Sequence, residues 1–120
     1  MSSDLRICSM GLEDSVIRNR TFEFARAIVR FTMILKEERH YEIARQLLKS
    51  GTSIGANVRE AQRGVSTKDF KNKLGISLKE ADETEYWLEL IDLEIKTVPK
   101  ELLKEVDEIM RMLVTIIKNS

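Results

Sequence analysis

Between Leu47 and Leu93 the apolar residues recur at helical spacing in two sets, separated by only a few residues. The first set is Ile43, Leu47, Ile54, Val58 and Ala61; the second is Phe70, Leu74, Leu78, Ala81, Leu88 and Ile95. A stripe with this period lies along one side of a helix, so each set demands a helix and a neighbour to cover it. The link, Gly64-Val65-Ser66, is too short to take the chain anywhere but back along itself. Ser66 stands where an N-cap belongs, and Asp69, three residues on, stands in the place of a capping-box partner. The segment therefore reads as an antiparallel helical hairpin.

Helices are expected on either side of it. Phe24, Ile28, Phe31 and Leu35, with Ala25 and Thr32 beside them, predict a first helix over about 15–36. Glu37 to His40 then lead into a second helix over about 41–63, and the third spans about 67–95. Thr97, Val98 and Pro99 read as the start of a fourth, about 98–118, because proline is tolerated in a first turn where its missing N–H costs nothing. The stripe of that helix is Leu102, Val106, Ile109, Leu113 and Ile116. Residues 1–14 lack a clear period and read as a loose arm, with Met10 as an alternative start. A single proline, five glycines and 42% hydrophobic content suit helices throughout. The fold class expected is all-α: one domain, an up-down-up-down antiparallel four-helix bundle.

Two further apolar lines ask for another surface. Phe22, Val29 and Met33 fall off the stripe of the first helix, and Leu103, Met110 and Ile117 make a second line on the fourth. Fully exposed, these lines exceed the apolar patch a soluble monomer usually carries, so they are the expected interface of a homo-oligomer. The alternative is a wide core face that takes in both lines. Helix two has its own oddity, the poor helix-forming run Ser50-Gly51-Thr52-Ser53-Ile54-Gly55. A phosphate-cradling loop is one reading, but no G-x-x-x-x-G-K-[ST] pattern is present. The better reading is that Gly51 and Gly55, four apart, share a face and admit another helix closely. Ser53, Asn57 and Glu60 form a polar strip beside them, either at a helix–helix seam or facing solvent.

Little in the chain points to chemistry. His40 is the one histidine, and Glu37-x-x-His40 is a single copy where a ferritin-like site needs two, so neither metal nor cofactor is expected. Glu80, Asp82 and Glu83 read as a solvated face. No G-x-S-x-G elbow occurs, and no small-molecule substrate is evident. The chain reads as a non-enzyme. Cys8 is alone, which excludes an internal disulfide and fits a reducing compartment. No apolar run approaches the roughly 18–20 residues of a membrane span, and the start lacks the features of a signal peptide. A cytoplasmic protein with no membrane contact is expected.

Charge is zero in sum but uneven in distribution. Residues 41–80 hold eight Lys/Arg against four Asp/Glu, whereas residues 81–120 hold five against ten. Salt-bridged packing within or between subunits is one explanation; a basic surface facing a polyanion is the other. Arg59, Arg63, Lys68, Lys71 and Lys73 surround the turn of the hairpin, opposed by Glu60 and Asp69. Clustered cations are what phosphate contacts need, and copies around an oligomer would multiply a weak one. RNA or DNA is thus the candidate partner, and a protein-interaction scaffold without nucleic acid is the alternative.

Three blocks carry a resemblance: Thr52-Ser53-Ile54-Gly55-Ala56-Asn57-Val58-Arg59-Glu60-Ala61, then Ser66-x-x-Asp69-Phe70, then Lys79-Glu80-Ala81-x-Glu83-Thr84-x-Tyr86-Trp87-Leu88. Together they closely resemble the four-helix bundle proteins also described as large-subunit ribosomal RNA intervening-sequence proteins, over about 15–118. The resemblance implies a bundle assembled as a ring-like homopentamer, with no established catalytic residues. The family is similar in turn to the accessory variability determinant proteins of diversity-generating retroelements, pentameric barrels that bind nucleic acid and partner a reverse transcriptase. Those relatives are strongly basic, whereas this chain is neutral. The residues matching the family motif are Ser53, Asn57 and Glu60 with Glu80, Glu83 and Trp87. Their spacing suits a structural polar seam at least as well as a binding site.

Overall fold

The heptad spacing of the sequence carries straight through to the fold. A computed structural model describes residues 12–120, in which four helices occur: α1 (Leu12–Glu37), α2 (Tyr41–Gln62), α3 (Thr67–Glu94) and α4 (Lys100–Lys118). Along each runs a buried stripe in alternating steps of three and four, widened on α2 by Ser50, Gly55 and Gln62 and on α1 by Thr32. On α1 the stripe is Ile17, Thr21, Phe24, Ile28, Phe31 and Leu35, and on α4 Leu102, Val106, Ile109, Leu113 and Ile116. On α3 the stripe runs Phe70, Leu74, Ser77, Ala81, Thr84, Leu88, Ile91. Such regular alternation keeps one side of each helix facing its neighbours along its length, as in knobs-into-holes packing at shallow crossing angles. The result is a rod 51 × 20 × 19 Å.

Both α1 and α3 pack against α2 and α4. Between α2 and α3 the bonded pairs are Ser50 with Thr84, Ile54 with Ser77 and Glu60 with Lys73, so one number falls as the other rises. Between α1 and α2 the neighbours are Asp14 with Gln62, Thr21 with Gly55 and Ile28 with Gly51, in the same opposed order. The glycines serve the close approach expected of them. A Cβ on Gly51 would lie 2.8 Å from Cγ2 of Ile28, and one on Gly55 3.2 Å from Oγ1 of Thr21. Through this stretch α2 stays helical, while the Thr52 and Ser53 hydroxyls donate to the carbonyls of Leu48 and Lys49, each at 2.7 Å.

Several boundaries depart from expectation. Helix α1 starts at Leu12, so residues 12–14 belong to it and not to an arm; the expectations for Cys8 and Met10 lie outside the described residues. Asp14 is buried, and its carbonyl accepts from Nε2 of Gln62 at 2.7 Å, which fastens this first turn to the end of α2. Helix α4 starts at Lys100, not at about 98, and Pro99 sits before its first turn with φ −55° and ψ 130°. Steric conflict with a following proline keeps Val98 out of the helical region. Val98 is buried instead, and its N–H donates to Oδ1 of Asp92 at 2.8 Å. At the other connection α1 closes in a Schellman arrangement. His40 N–H donates to the Leu35 carbonyl and Arg39 N–H to that of Lys36, both at 2.9 Å, with Arg39 at φ 69° in a position glycine usually takes. Leu78 on α3 and Ile95 at its C-cap are only half-buried, and Ser77, Thr84 and Ile91 hold core places on that helix.

Candidate nucleic-acid interface

The turn joining α2 to α3 is built by its caps. Ser66 is the N-cap of α3, its Oγ accepting from Asp69 N–H at 3.0 Å, and Gly64 N–H returns to the Ala61 carbonyl at 3.0 Å. The five cations placed here by the sequence do not share one environment. Nζ of Lys73 lies 3.0 Å from Oε1 of Glu60. That hydrogen bond first, and the charge of the same carboxylate second, hold the Lys73 ammonium above the usual lysine range. The Arg59 guanidinium stacks over the Phe22 ring, 4.9 Å from its centroid, on the side of the bundle facing α1. Arg63, Lys68 and Lys71 are exposed and form no ion pair among the described residues. The cluster thus divides: three cations face solvent at the end of the rod, one is neutralised, and one belongs to a lateral groove.

The family-motif residues lie along the outside of the α2–α3 pair. Asn57 Nδ2 donates to the Ser53 carbonyl at 2.8 Å, Ser53 Oγ donates to the Lys49 carbonyl, and Glu60 receives Lys73. Lys73, Glu80 and Trp87, seven apart, share the flank of α3 where Lys73 meets Glu60. Trp87 Nε1 donates to Glu83 at 3.2 Å, and its ring stands edge-on to Tyr86 with centroids 5.1 Å apart. These polar groups are mostly satisfied within their own helix. A buried polar seam does join α2 to α3, through residues the sequence reading passed over. Ser77 Oγ donates to the Ile54 carbonyl at 2.8 Å, and the Thr84 and Ser50 hydroxyls are bonded at 2.9 Å, all fully buried. The signal available was the three-and-four spacing, which passes through positions 77 and 84 without interruption.

The two lines assigned to an oligomer interface fare differently. Phe22, Val29 and Met33 are exposed, whereas Leu103, Met110 and Ile117 are half-buried against the core. A further tie missed from sequence joins α1 to α4, where the Arg20 guanidinium forks onto both oxygens of Glu105 at 2.8 and 2.6 Å. His40 is half-buried beside the start of α2, and no group of three or more His, Cys, Asp or Glu that could hold a metal occurs among the described residues. Among the same residues no helix is long and apolar enough to cross a membrane.

Comparison with known proteins bears on this arrangement. The family model described as 23S rRNA-intervening sequence protein matches residues 13–115. The fold is similar to the crystal structure of a protein of unknown function from the S23 ribosomal protein family of Bacteroides thetaiotaomicron. That protein is 42% identical, the match covers 89% of this chain and 99% of that one, and the TM-score is 0.84. No curated protein matches the chain.

Proposed function

Because the chain belongs to the 23S rRNA-intervening sequence protein family, we propose that it is a non-enzymatic, cytoplasmic accessory factor that binds RNA or DNA as a homo-oligomer. In this reading each protomer is an up-down-up-down antiparallel bundle, five protomers form a ring, and each contributes its α2–α3 turn to the nucleic acid. The observation that carries it is the exposed trio Arg63, Lys68 and Lys71, at one end of a rod whose total charge is zero. Unpaired cations grouped at one end give a field that a neutral sum conceals, and phosphate is the anion that rewards such grouping. The relative's placement in a ribosomal protein family supports the same partner class.

Fluorescence anisotropy with a labelled single-stranded RNA, and with a DNA duplex for comparison, tests this. Three neutralised phosphates on a single strand predict a salt slope near −2, or roughly 20-fold weaker binding per engaged protomer between about 50 and 200 mM salt. The combined change Arg63→Glu, Lys68→Glu and Lys71→Glu should abolish binding while leaving helicity intact. Unchanged affinity in that variant would sink the proposal and favour a scaffold without nucleic acid, the role to which the exposed line Phe22, Val29, Met33 otherwise points.

A further inference from the structure

On the flank where α1 meets α2, a groove links an exposed ring to the basic end of the rod. It measures ≈ 260 Å³ and is lined by Phe22, Ala25, Thr52, Gly55, Ala56 and Arg59. That is below the about 300–1,000 Å³ of a pocket for a drug-sized ligand, and on the scale of one planar ring. Phe22 remains 47% exposed, although the Arg59 guanidinium stands 4.9 Å from its centroid. The floor is built of small residues, and its one hydroxyl, on Thr52, is engaged by the Leu48 carbonyl at 2.7 Å. Such a slot holds a flat group by stacking, with only the Arg59 side chain left to donate to it.

Charge around the groove is one-sided. On α1 no acid stands between Asp14 and Glu23, and on α2 none stands between Glu42 and Glu60. Glu23, Glu42 and Glu60 are themselves ion-paired, to Arg26, Arg45 and Lys73. Arg18 lies one turn before Phe22 and Arg63 one turn beyond Arg59, so in the opposed order of these helices both extend the groove toward the α2–α3 turn. Neither forms an ion pair among the described residues. Arg63 also belongs to the exposed trio of that turn, about 6 Å along the helix from Arg59.

An apolar side chain seated in the groove would leave these arginines unmatched. A nucleotide carries both counterparts in one unit, a ring for Phe22 and a phosphate for the arginines. We infer that the groove is a base-stacking subsite: with the phosphates of a strand on Arg63, Lys68 and Lys71, an adjacent unpaired base enters against Phe22 and Arg59. A duplex keeps its bases stacked on one another, so the nucleic acid taken here is single-stranded. Every base has a face to stack and the floor reads no base edge, so the subsite is indifferent to sequence. This inference rests on the nucleic-acid part of the proposed function and names the form of nucleic acid that part takes.

Two labelled DNA strands of equal length and charge, one of mixed sequence and one with abasic spacers throughout, test the inference by fluorescence anisotropy. Phe22→Ala should weaken binding of the normal strand roughly 5- to 100-fold, leave the abasic strand unchanged and keep the salt slope. Ala56→Leu fills the floor from an exposed position with ring and charges intact, and should have the same effect. Phe22→Tyr, which keeps an aromatic face, should bind as the wild type does. Equal wild-type affinity for the two strands, or equal loss of both in Phe22→Ala, would overturn stacking. Normal-strand affinity unchanged in both Phe22→Ala and Ala56→Leu would overturn the subsite and leave the groove to a protein partner, with the phosphate contacts of the turn still standing. A wild-type chain that binds neither strand would overturn those phosphate contacts, and this inference with them.

Discussion

Replacing Gly51 by alanine sets two effects of known size against each other. Alanine gains about 1 kcal/mol of helix propensity over glycine in a helix interior. Its methyl, however, would sit 2.8 Å from Cγ2 and 3.0 Å from Cγ1 of Ile28, a side chain wholly enclosed in the core. Overpacking a closed core costs about 1–3 kcal/mol, so the steric effect should win and Gly51→Ala should lose about 1 kcal/mol net. The sign depends on Ile28. In an Ile28→Ala background, itself about 2–5 kcal/mol less stable, both Cγ atoms are gone. The nearest remaining atom, Cβ, lies 3.2 Å from the new methyl, a contact that a shift of a few tenths of an ångström relieves. There Gly51→Ala should stabilise by about 1 kcal/mol, which makes the coupling between the two sites about 2 kcal/mol. Urea denaturation of the four proteins by far-UV circular dichroism, all at one protein concentration, measures it. If Gly51→Ala stabilises the wild type as much as it stabilises Ile28→Ala, close approach of α1 is not what requires glycine, and the argument fails.

The hydroxyl seam should behave as a coupled pair. Thr84→Val and Ser50→Ala should each cost about 1 kcal/mol by removing the bond between the helices. The remaining hydroxyl keeps its backbone acceptor, the Glu80 carbonyl for Thr84 at 2.7 Å and the Leu47 carbonyl for Ser50 at 3.4 Å. The double variant should cost less than the sum of the two by at least about 0.5 kcal/mol. Strict additivity in a denaturation cycle would show that the 2.9 Å contact does not matter. Glu85 gives a pH signature. Its carboxyl titrates above the ordinary range in the folded chain, so its contribution to stability is full below the unfolded value near pH 4 and is lost as pH rises through the raised one. Glu85→Gln should therefore raise the unfolding midpoint near neutral pH, with the gain vanishing near pH 4. An equal gain at both would assign the effect to something other than charge.

Apolar spacing made the helices legible in the sequence, and Ser66 and the two α2 glycines were legible because each does what its residue type does best. The boundaries that slipped depended on distant partners. Residues 12–14 are held by Gln62, forty-eight positions from Asp14, and Val98 is taken up by Asp92 and the core. Ser77 and Thr84 were missed because a reading by apolarity skips polar residues, although their register is that of the core. The basic turn was legible as composition only. Which cation was free could not be read, since the ring under Arg59 lies thirty-seven positions away and the carboxylate beside Lys73 lies on another helix.

The weak middle of α2 has a consequence for how the chain folds. Two glycines alone forfeit about 2 kcal/mol of helix propensity, more than a helix of this length can spare in isolation. The stretch is held from both sides instead, by Ile28 and Thr21 against its glycines and by Ser77 and Thr84 against Ile54 and Ser50. Helix α2 is therefore the last element able to form alone and the first to melt if either neighbour leaves. A chain cut at the α2–α3 turn should yield an α1–α2 half in which α2 is unstructured and becomes helical only on meeting the other half. Placing the poorest helix former between two neighbours thus turns four separate helices into a single cooperative unit.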